Sequence, residues 1–327
     1  MPSRIAITTG DPRGIGPEII VKALADLRVG ERSDFVVVGP SGCGVAVDEP
    51  IGEWSEGRDA AFAGRLSGLA IEHAVSLAMT GAVEGIVTAP IDKSALLAGG
   101  YDFPGHTEML AAITKSKVAM MLASMRRSEE PGVSPLRVVL ATTHLPLREV
   151  ASALTEDSIV NVAEIARNYL QRWFGISEPR IALCALNPHG GDGGRFGSED
   201  DDLLAPAARR SGISGPFPAD TVFVRAIKGE FDAVIAPYHD VGMTAIKVAS
   251  FGSAVNVTLG LPFPRTSPDH GTAMDIAGRG IADASSFIEA LLLCRRIAAR
   301  AHSGAGRPRS EDPLPANQSS GRPSFSR

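Results

Sequence analysis

The fold class of this chain is set by its first segment, RIAITTGDPRGIGPE at residues 4–18. A β-branched run at 4–8 leads into a turn rich in Gly and Pro, and Pro17 then opens an amphipathic run. One face of that run carries Ile19, Ile20, Ala23, Leu24 and Leu27. A strand, a tight turn and a helix in this order begin a βαβ unit, which predicts a parallel sheet.

The same alternation continues along the chain. Further strands are predicted at 35–38, 85–88, 137–141, 180–185, 233–236 and 254–259, and helices at 60–79 and 286–301. We predict an α/β protein in two domains, with mostly parallel sheets and flanking helices. The first domain takes residues 1–105 with 250–302, and the second takes 106–249. Residues 39–57 predict a loop or small insertion, and the Ser-, Pro-, Gly- and Arg-rich residues 303–327 predict a disordered tail.

Composition narrows the class of protein. The 327 residues are 44% hydrophobic and 21% charged, and the net charge of −5 argues against a general nucleic-acid binder. Cys43, Cys184 and Cys294 are far apart, which indicates a reduced compartment without disulfides or a zinc-thiolate site. The first residues do not resemble a signal peptide, and no apolar run approaches the ~20 residues of a membrane span. We therefore predict a cytoplasmic enzyme that does not bind a membrane.

Three histidines follow three predicted strands. His144, His189 and His239 come directly after the runs at 137–141, 180–185 and 233–236. Ligands of open parallel sheets bind outside the carboxyl ends of the strands, so these imidazoles are candidates for one divalent metal ion. The alternative is that each is a polar loop residue with local hydrogen bonds. Asp220 fits an additional ligand or a partner of a ligand, and equally the N-cap of a helix.

Other segments are suited to anions. The glycines of 10–18 would let backbone N–H groups approach an anion, although the spacing matches neither a Walker loop nor the Rossmann fingerprint. Residues 104–108 form a second polar turn before a helix. Lys247, Asn256 and Arg265 are a basic and polar set that suits a substrate with carboxylate and phosphate, or else lie solvated at the surface. The small-residue segment DHGTAMDIAGRG at 269–280 suits a loop around a flat aromatic group, or alternatively a capped helix entrance.

These motifs together resemble the 4-hydroxythreonine-4-phosphate dehydrogenase family of pyridoxal 5′-phosphate (pyridoxine) biosynthesis, or a close paralogue. The resemblance runs from Ile5 to about Ala301 and is most specific at 10–18, 104–108, 142–147, 187–194, 238–240 and 256–280. The segment 269–280 is also similar to the cofactor loop of isocitrate and isopropylmalate dehydrogenases. The resemblance implies that fold, and a homodimer with its site at the subunit interface.

The resemblance also implies roles for single residues. It implies that His144, His189 and His239 bind zinc, magnesium or cobalt, and that substrate contacts His106, Thr107, Lys247, Asn256 and Arg265. His270, Gly271 and Asp275 would bind the cofactor, and because an acidic residue repels a 2′-phosphate, NAD is favoured over NADP. The implied reaction is metal-dependent oxidation of a small phosphorylated hydroxy acid, 4-phosphooxy-L-threonine, with decarboxylation to 3-amino-2-oxopropyl phosphate. Asp220, Lys247 and a metal-bound water are the candidate bases.

The chain departs from the family at three places. Val241 stands where many relatives carry Gln, residues 39–57 are short, and the tail has no counterpart. These departures leave open a paralogue that oxidises D-threonate or D-erythronate 4-phosphate, or an aromatic cis-dihydrodiol dicarboxylate. Two further alternatives are a metal-dependent phosphate-ester hydrolase and a non-catalytic sugar-phosphate sensor. Neither alternative gives the 269–280 segment a task.

Overall fold

The computed structural model describes residues 4–125, 134–250 and 253–302, so the predicted tail at 303–327 lies outside the described residues. Within these ranges the chain forms eleven strands: β1 Ile5–Thr8, β2 Phe35–Ser41, β3 Glu49–Glu53, β4 Gly85–Thr88, β5 Ala119–Ser124, β6 Arg137–Leu140, β7 Ile181–Cys184, β8 Ser214–Phe217, β9 Ala233–Ala236, β10 Ala254–Leu259 and β11 Arg265–Pro268.

The described α-helices flank this sheet. In chain order they are α1 Gly16–Leu24, α2 Ala60–Met79, α3 Lys93–Ala98, α4 His106–Thr114, α5 Leu147–Ala153, α6 Glu156–Phe174, α7 Ala205–Ser211, α8 Ala219–Ile227, α9 His239–Ser250 and α10 Ser285–His302. Local chemistry sets several helix ends. Asp59 caps α2 by accepting from the Phe62 N–H, and Thr155 caps α6 in a reciprocal box with Ser158. Among the described residues, none of the helices combines the length and the apolar character needed to cross a membrane.

All eleven strands belong to one sheet, in the order β3-β2-β1-β4-β11-β10-β5-β6-β9-β7-β8. Its outer pairs are parallel, as predicted, and the central pairs β11–β10, β10–β5 and β5–β6 are antiparallel. The strands on the β6 side therefore run opposite to those on the β4 side. As a result, the carboxyl ends of β4 and β6 point toward opposite edges of the sheet.

The strand order groups the strands of each predicted domain together, but both groups belong to the same sheet. Strands from residues 1–105 and 250–302 are neighbours in the sheet, as are those from 106–249, and the β10–β5 pair joins the two groups. The core is continuous enough for one large apolar cluster to include residues of both groups, such as Ile7 and Ile235. The division into two domains therefore stays a prediction.

Two local predictions were wrong. The loop alternative for residues 39–57 is wrong, because they contain the end of β2 and the edge strand β3, which pairs with β2; the alternative of a small insertion stays a prediction. The helical face predicted at 19–27 ends earlier than expected, since α1 stops at Leu24 and the Leu27 side chain is 96% exposed. The predicted helix at 60–79 is confirmed as α2.

Candidate functional site

A small cavity, here called cavity A, lies over one face of the central strands. Its volume is about 210 Å³. Leu122, Asn256 and Ser267 stand opposite one another on β5, β10 and β11, so they form one row on that face. The end of β4, the start of α4 and the loops after β6 and β11 complete the walls, among them Thr88, His106, Thr107, His144, His270 and Gly271. Six predicted substrate, metal and cofactor residues thus share one cavity with Arg265.

Cavity A holds buried polar atoms that have no partner in the described structure. They are His106 Nε2, Asn256 Oδ1, Arg265 Nε and His270 Nε2. Buried polar groups are almost always hydrogen-bonded, because leaving one unpaired costs about 1–3 kcal/mol. Four such atoms around one cavity therefore indicate a polar ligand with both donors and acceptors.

Arg265 is the central charge of this cavity. The residue is only 1% exposed, and its guanidinium donates to Thr258 Oγ1 at 3.0 Å and to Thr88 Oγ1 at 2.6 Å. Within the described ranges it forms no ion pair. Burial lowers its pKa to about 10, so it remains a cation at neutral pH. A buried cation held by hydroxyls alone is suited to an anionic ligand.

His106 opens α4 beside that charge. Its pKa lies well below the usual value, because burial disfavours the imidazolium and the cations Arg265 and Lys93 add to this effect. The ring is therefore neutral at pH 7 and can either donate to or accept from a ligand. The side chains of Lys93 and Glu108 lie beside Gly105, directly before His106, and both line the cavity.

Lys93 and Glu108 were missed by the sequence analysis. Lys93 is the first residue of a short helix, where a surface position is the ordinary interpretation. A cation at a helix N-terminus opposes the helix dipole, and this was the one available signal for it. Glu108 lies within the quoted segment 104–108 but carried no assigned role.

Two of the three strand-end histidines come together. The ring centroids of His144 and His239 are 5.6 Å apart. His239 opens α9, and its Nδ1 lies 2.7 Å from Asp240 Oδ1, which leaves Nε2 for another partner. The pKa of His144 is lowered, first by desolvation and then by the charge of Lys93. Two imidazoles that approach each other, one of them oriented by a carboxylate, fit two ligands of a divalent ion.

The third histidine lies elsewhere. His189 adopts a left-handed conformation with φ of 54° and lines a separate cavity, here called cavity C, of about 340 Å³. Asp220 and Tyr238 line cavity C as well. In the part of the chain that the structure describes, no three His, Cys, Asp or Glu side chains are grouped closely enough to hold a metal ion. The predicted three-histidine set is therefore not assembled within one copy of the chain.

A buried carboxylate fixes the start of the loop that carries His189. Asp200 is 1% exposed and accepts from the backbone N–H groups of Leu186 at 2.8 Å and Asn187 at 2.9 Å. The Asn187 amide donates to Glu199 Oε2 at 2.8 Å. The direction in which the chain leaves β7 is therefore set by charge-assisted hydrogen bonds.

The remaining predicted residues lie at the periphery. Lys247 is exposed on α9, and its Nζ is 3.5 Å from the Asp269 carbonyl oxygen beside the loop of cavity A. Asp220 is the second residue of α8 and makes no capping hydrogen bond, so the N-cap alternative is wrong. Asp275 is exposed within a turn, and that turn is not the helix entrance considered as an alternative.

The segment 269–280 is tied to α1. Glu18 accepts from the N–H groups of Gly280 and Ala282, and the Lys22 ammonium donates to their carbonyl oxygens. The Ile15 N–H donates to the Thr272 carbonyl oxygen at 3.0 Å. The segment begins in cavity A at His270 and ends at a larger cavity B, about 740 Å³, which Gly14 and Gly278 line. It therefore links two cavities along one fixed path.

Comparisons with known proteins place this geometry in a family. The family model described as "Pyridoxal phosphate biosynthetic protein PdxA" matches residues 33–294. The 4-hydroxythreonine-4-phosphate dehydrogenase of Caulobacter vibrioides is 43% identical over 328 residues, with 90% of this chain and 98% of that protein covered.

Solved structures agree with that assignment. The crystal structure of 4-hydroxythreonine-4-phosphate dehydrogenase from Klebsiella pneumoniae has a TM-score of 0.78 at 37% identity and covers 90% of this chain and 99% of its own. Isocitrate dehydrogenase from Methylococcus capsulatus, at 16% identity, has a TM-score of 0.50 over 91% of this chain and 88% of its own. The latter likeness concerns the fold alone, and it confirms the predicted fold class.

Proposed function

The chain belongs to the PdxA family of pyridoxal phosphate biosynthetic proteins, and on that premise we propose that it oxidises 4-phosphooxy-L-threonine with NAD as the acceptor. It is an oxidoreductase that acts on a CH–OH group. The secondary hydroxyl becomes a ketone, the carboxylate leaves as CO₂, and the product is 3-amino-2-oxopropyl phosphate. The observation that carries the proposal is the buried Arg265 in cavity A, surrounded by polar atoms that have no partner.

The residues of cavity A bind and orient the substrate. Arg265 holds an anionic group of the substrate, and Thr88 and Thr258 keep the guanidinium in place. His106, Thr107 and Asn256 donate to or accept from its polar groups, and Lys247 approaches from the rim. A cavity that fixes several groups of a small molecule aligns the reacting carbon for hydride transfer.

A divalent ion fits the pair His144 and His239. Bound there, zinc, magnesium or cobalt would supply Lewis acidity toward the hydroxyl that is oxidised and toward the carbonyl that decarboxylation requires. The chain itself keeps both ligands ready, because desolvation and the charge of Lys93 hold His144 neutral and Asp240 orients His239.

We propose a homodimer in which His189 of one copy completes the pair in the other. This arrangement accounts for a strand-end histidine that lies in cavity C rather than beside the other two. Asp220 lines the same cavity as His189, so the dimer would bring a carboxylate toward the site as well. Asp220 and Lys247 remain the candidate proton acceptors.

The cofactor proposal follows the path of the 269–280 segment. NAD would extend from cavity A, where His270 and Gly271 lie, toward the larger cavity B. The exposed Asp275 carboxylate favours ribose hydroxyls over a 2′-phosphate, so NAD is preferred to NADP.

A panel of substrates tests the proposal. NADH formation is followed at 340 nm with 4-phosphooxy-L-threonine, D-threonate 4-phosphate and D-erythronate 4-phosphate in parallel. Preference for the first supports the proposed substrate, and preference for either of the others assigns the same chemistry to a paralogue's substrate. Phosphate release without NADH identifies a hydrolase, and tight binding without any reaction identifies a sensor.

A further inference from the structure

Lys93 is a cation of cavity A to which neither the motifs nor the family resemblance gives a role. It is the first residue of α3 and follows the N-cap Asp92, whose side chain accepts from the Ala95 N–H. Its ammonium group forms no hydrogen bond and no ion pair within 4–125, 134–250 and 253–302. The two acidic residues of the cavity wall, Glu108 and Asp269, form no ion pair with it.

The side chain of Lys93 lies beside Gly105 in the wall of the cavity. A Cβ atom at Gly105 would lie 3.7 Å from the Cε of Lys93 and 3.5 Å from Glu108 Oε2. The aliphatic stem of Lys93 therefore passes over this glycine, and the charged end lines cavity A with Arg265. The cavity thus carries two cations from different elements, α3 and β11, and neither forms an ion pair within the described residues, although the Glu108 carboxylate acts on Arg265 from a greater distance.

Position in the helix argues against a structural role for this charge. A lysine at the first helical residue opposes the positive end of the helix dipole, and helix formation gains nothing from it. Its charge also acts on the neighbouring ring, because it contributes to the lowered pKa of His106. The ammonium is therefore electrostatically coupled to the ligand-facing side of the cavity.

We propose that Lys93 binds the phosphate group of the substrate together with Arg265. This inference rests on the proposed function for the identity of the substrate, but phosphate binding itself can be measured without turnover. Two cations in the lining of one cavity match a phosphate monoester, which carries close to two negative charges at pH 7 and accepts several hydrogen bonds.

The test compares four full-length proteins: wild type, Lys93→Met, Lys93→Arg and the control Lys228→Met, whose lysine is exposed at the end of α8. Binding of inorganic phosphate is measured by titration calorimetry in the presence of EDTA. Loss of one charge-assisted contact is expected to weaken binding by about 10-fold or more in Lys93→Met. Lys93→Arg should stay within about threefold of wild type, because it keeps the charge, and Lys228→Met should not change.

Thermal unfolding and kinetics separate this role from a structural one. Lys93→Met should melt at or slightly above the wild-type temperature, since it removes an unfavourable charge from a helix start. With substrate, its KM should rise about 10-fold while kcat changes little, as expected when a contact to a group remote from the reacting carbon is lost. A Lys93→Met protein that binds phosphate as tightly as wild type overturns the inference, whether or not the enzyme turns over. Weaker phosphate binding supports it even if no substrate of the panel is oxidised.

Discussion

The two ends of the site differ in how complete they are within one chain. At the end proposed to bind the anion, here called the anion end, Arg265 donates to two threonine hydroxyls. The buried polar atoms around it have no partner in the described structure. At the metal end, His144 and His239 face each other, but His189 lines another cavity. The first end is built by adjacent strands of one sheet, whereas the second depends on a loop that leaves the sheet at β7.

This difference indicates which parts of the site a single copy of the chain can form by itself. Adjacent strands fix side chains relative to one another, because register and hydrogen bonding determine their positions. A loop residue has no such constraint and can serve a second copy of the chain. Binding of the anion should therefore survive in a monomer, while the metal site and turnover should need the dimer.

The largest expected effect comes from subunit mixing. His144→Ala and His189→Ala should each reduce turnover to background. His73→Ala should not, because His73 lies on α2 and contacts Glu49 of β3. If the histidines come from two copies, a refolded mixture of the two inactive proteins should restore about one quarter of the sites, because half of the dimers carry one intact site. NADH formation after mixing is the measurement. Recovery at background level would place all three histidines in one chain and contradict the shared site.

Arg265→Met tests whether the buried cation binds the anion. Loss of the buried cation should lower kcat/KM by about 100-fold or more, because the bound anion loses its charged partner. Stability should be unchanged or higher, since an apolar side chain replaces a buried charge that has no acidic partner. Steady-state kinetics and thermal unfolding are compared with Arg28→Met at the surface. A variant that unfolds readily would instead assign Arg265 a structural role.

Asp200→Asn probes the loop of the metal end. The carboxylate accepts two backbone N–H groups, and an amide can satisfy only one of them, so we expect a loss of about 1–3 kcal/mol in stability. Turnover should fall by about 10-fold, in line with changes to groups that position metal ligands. Urea unfolding and kinetics check this prediction against Asp201→Asn, which alters an exposed carboxylate. Equal behaviour of the two variants would rule out a positioning role for Asp200.

The smallest effect concerns pH. Folding lowers the pKa of His106 below its ordinary 6.5, so below that pH the unfolded chain binds more protons than the folded one. The contribution of a neutral, buried His106 to the free energy of unfolding is fully present above pH 6.5. It falls as the pH decreases, by up to about 1.4 kcal/mol per pH unit for one proton. His106→Gln should flatten this dependence, and Thr107→Val should leave it unchanged. Urea unfolding at pH 7.5, 6.5 and 5.5 gives the slope of the unfolding free energy against pH. Equal slopes for wild type and His106→Gln would contradict the assignment of this dependence to His106.

The sequence predicted the elements with strong patterns. The strands β4, β9 and β10 and the helix α2 have the predicted bounds, because β-branched runs and helical periodicity coincide there with clear boundaries. Strands without these signals were missed: β5 is rich in Met and Ala, β8 contains Gly and Pro, and β11 is a polar strand. Of the buried polar residues of β11, Arg265 and Ser267 line cavity A, and Thr266 donates to the Ala290 carbonyl oxygen of α10. No local pattern can indicate either environment.

The site was predicted where strand ends determine position. His144 and His239 were identified from that rule alone, and their approach is seen in the fold. Arg265 was identified as part of a basic and polar set with Lys247 and Asn256, with a solvated surface position left open as the alternative. Lys93 was missed, because a lysine at a helix start usually lies at the surface. The roles of the predicted residues in binding metal, substrate and cofactor stay predictions, since they depend on ligands and on a second copy.

The most direct test of the proposed function is the stoichiometry of the reaction with 4-phosphooxy-L-threonine. Purified protein is given a limiting amount of this substrate with excess NAD and a divalent ion, and NADH and CO₂ are both quantified. We expect one NADH and one CO₂ for each substrate molecule, and neither product after chelation of the metal. NADH formed without CO₂, or full turnover in the presence of chelator, would contradict the proposed metal-dependent oxidative decarboxylation.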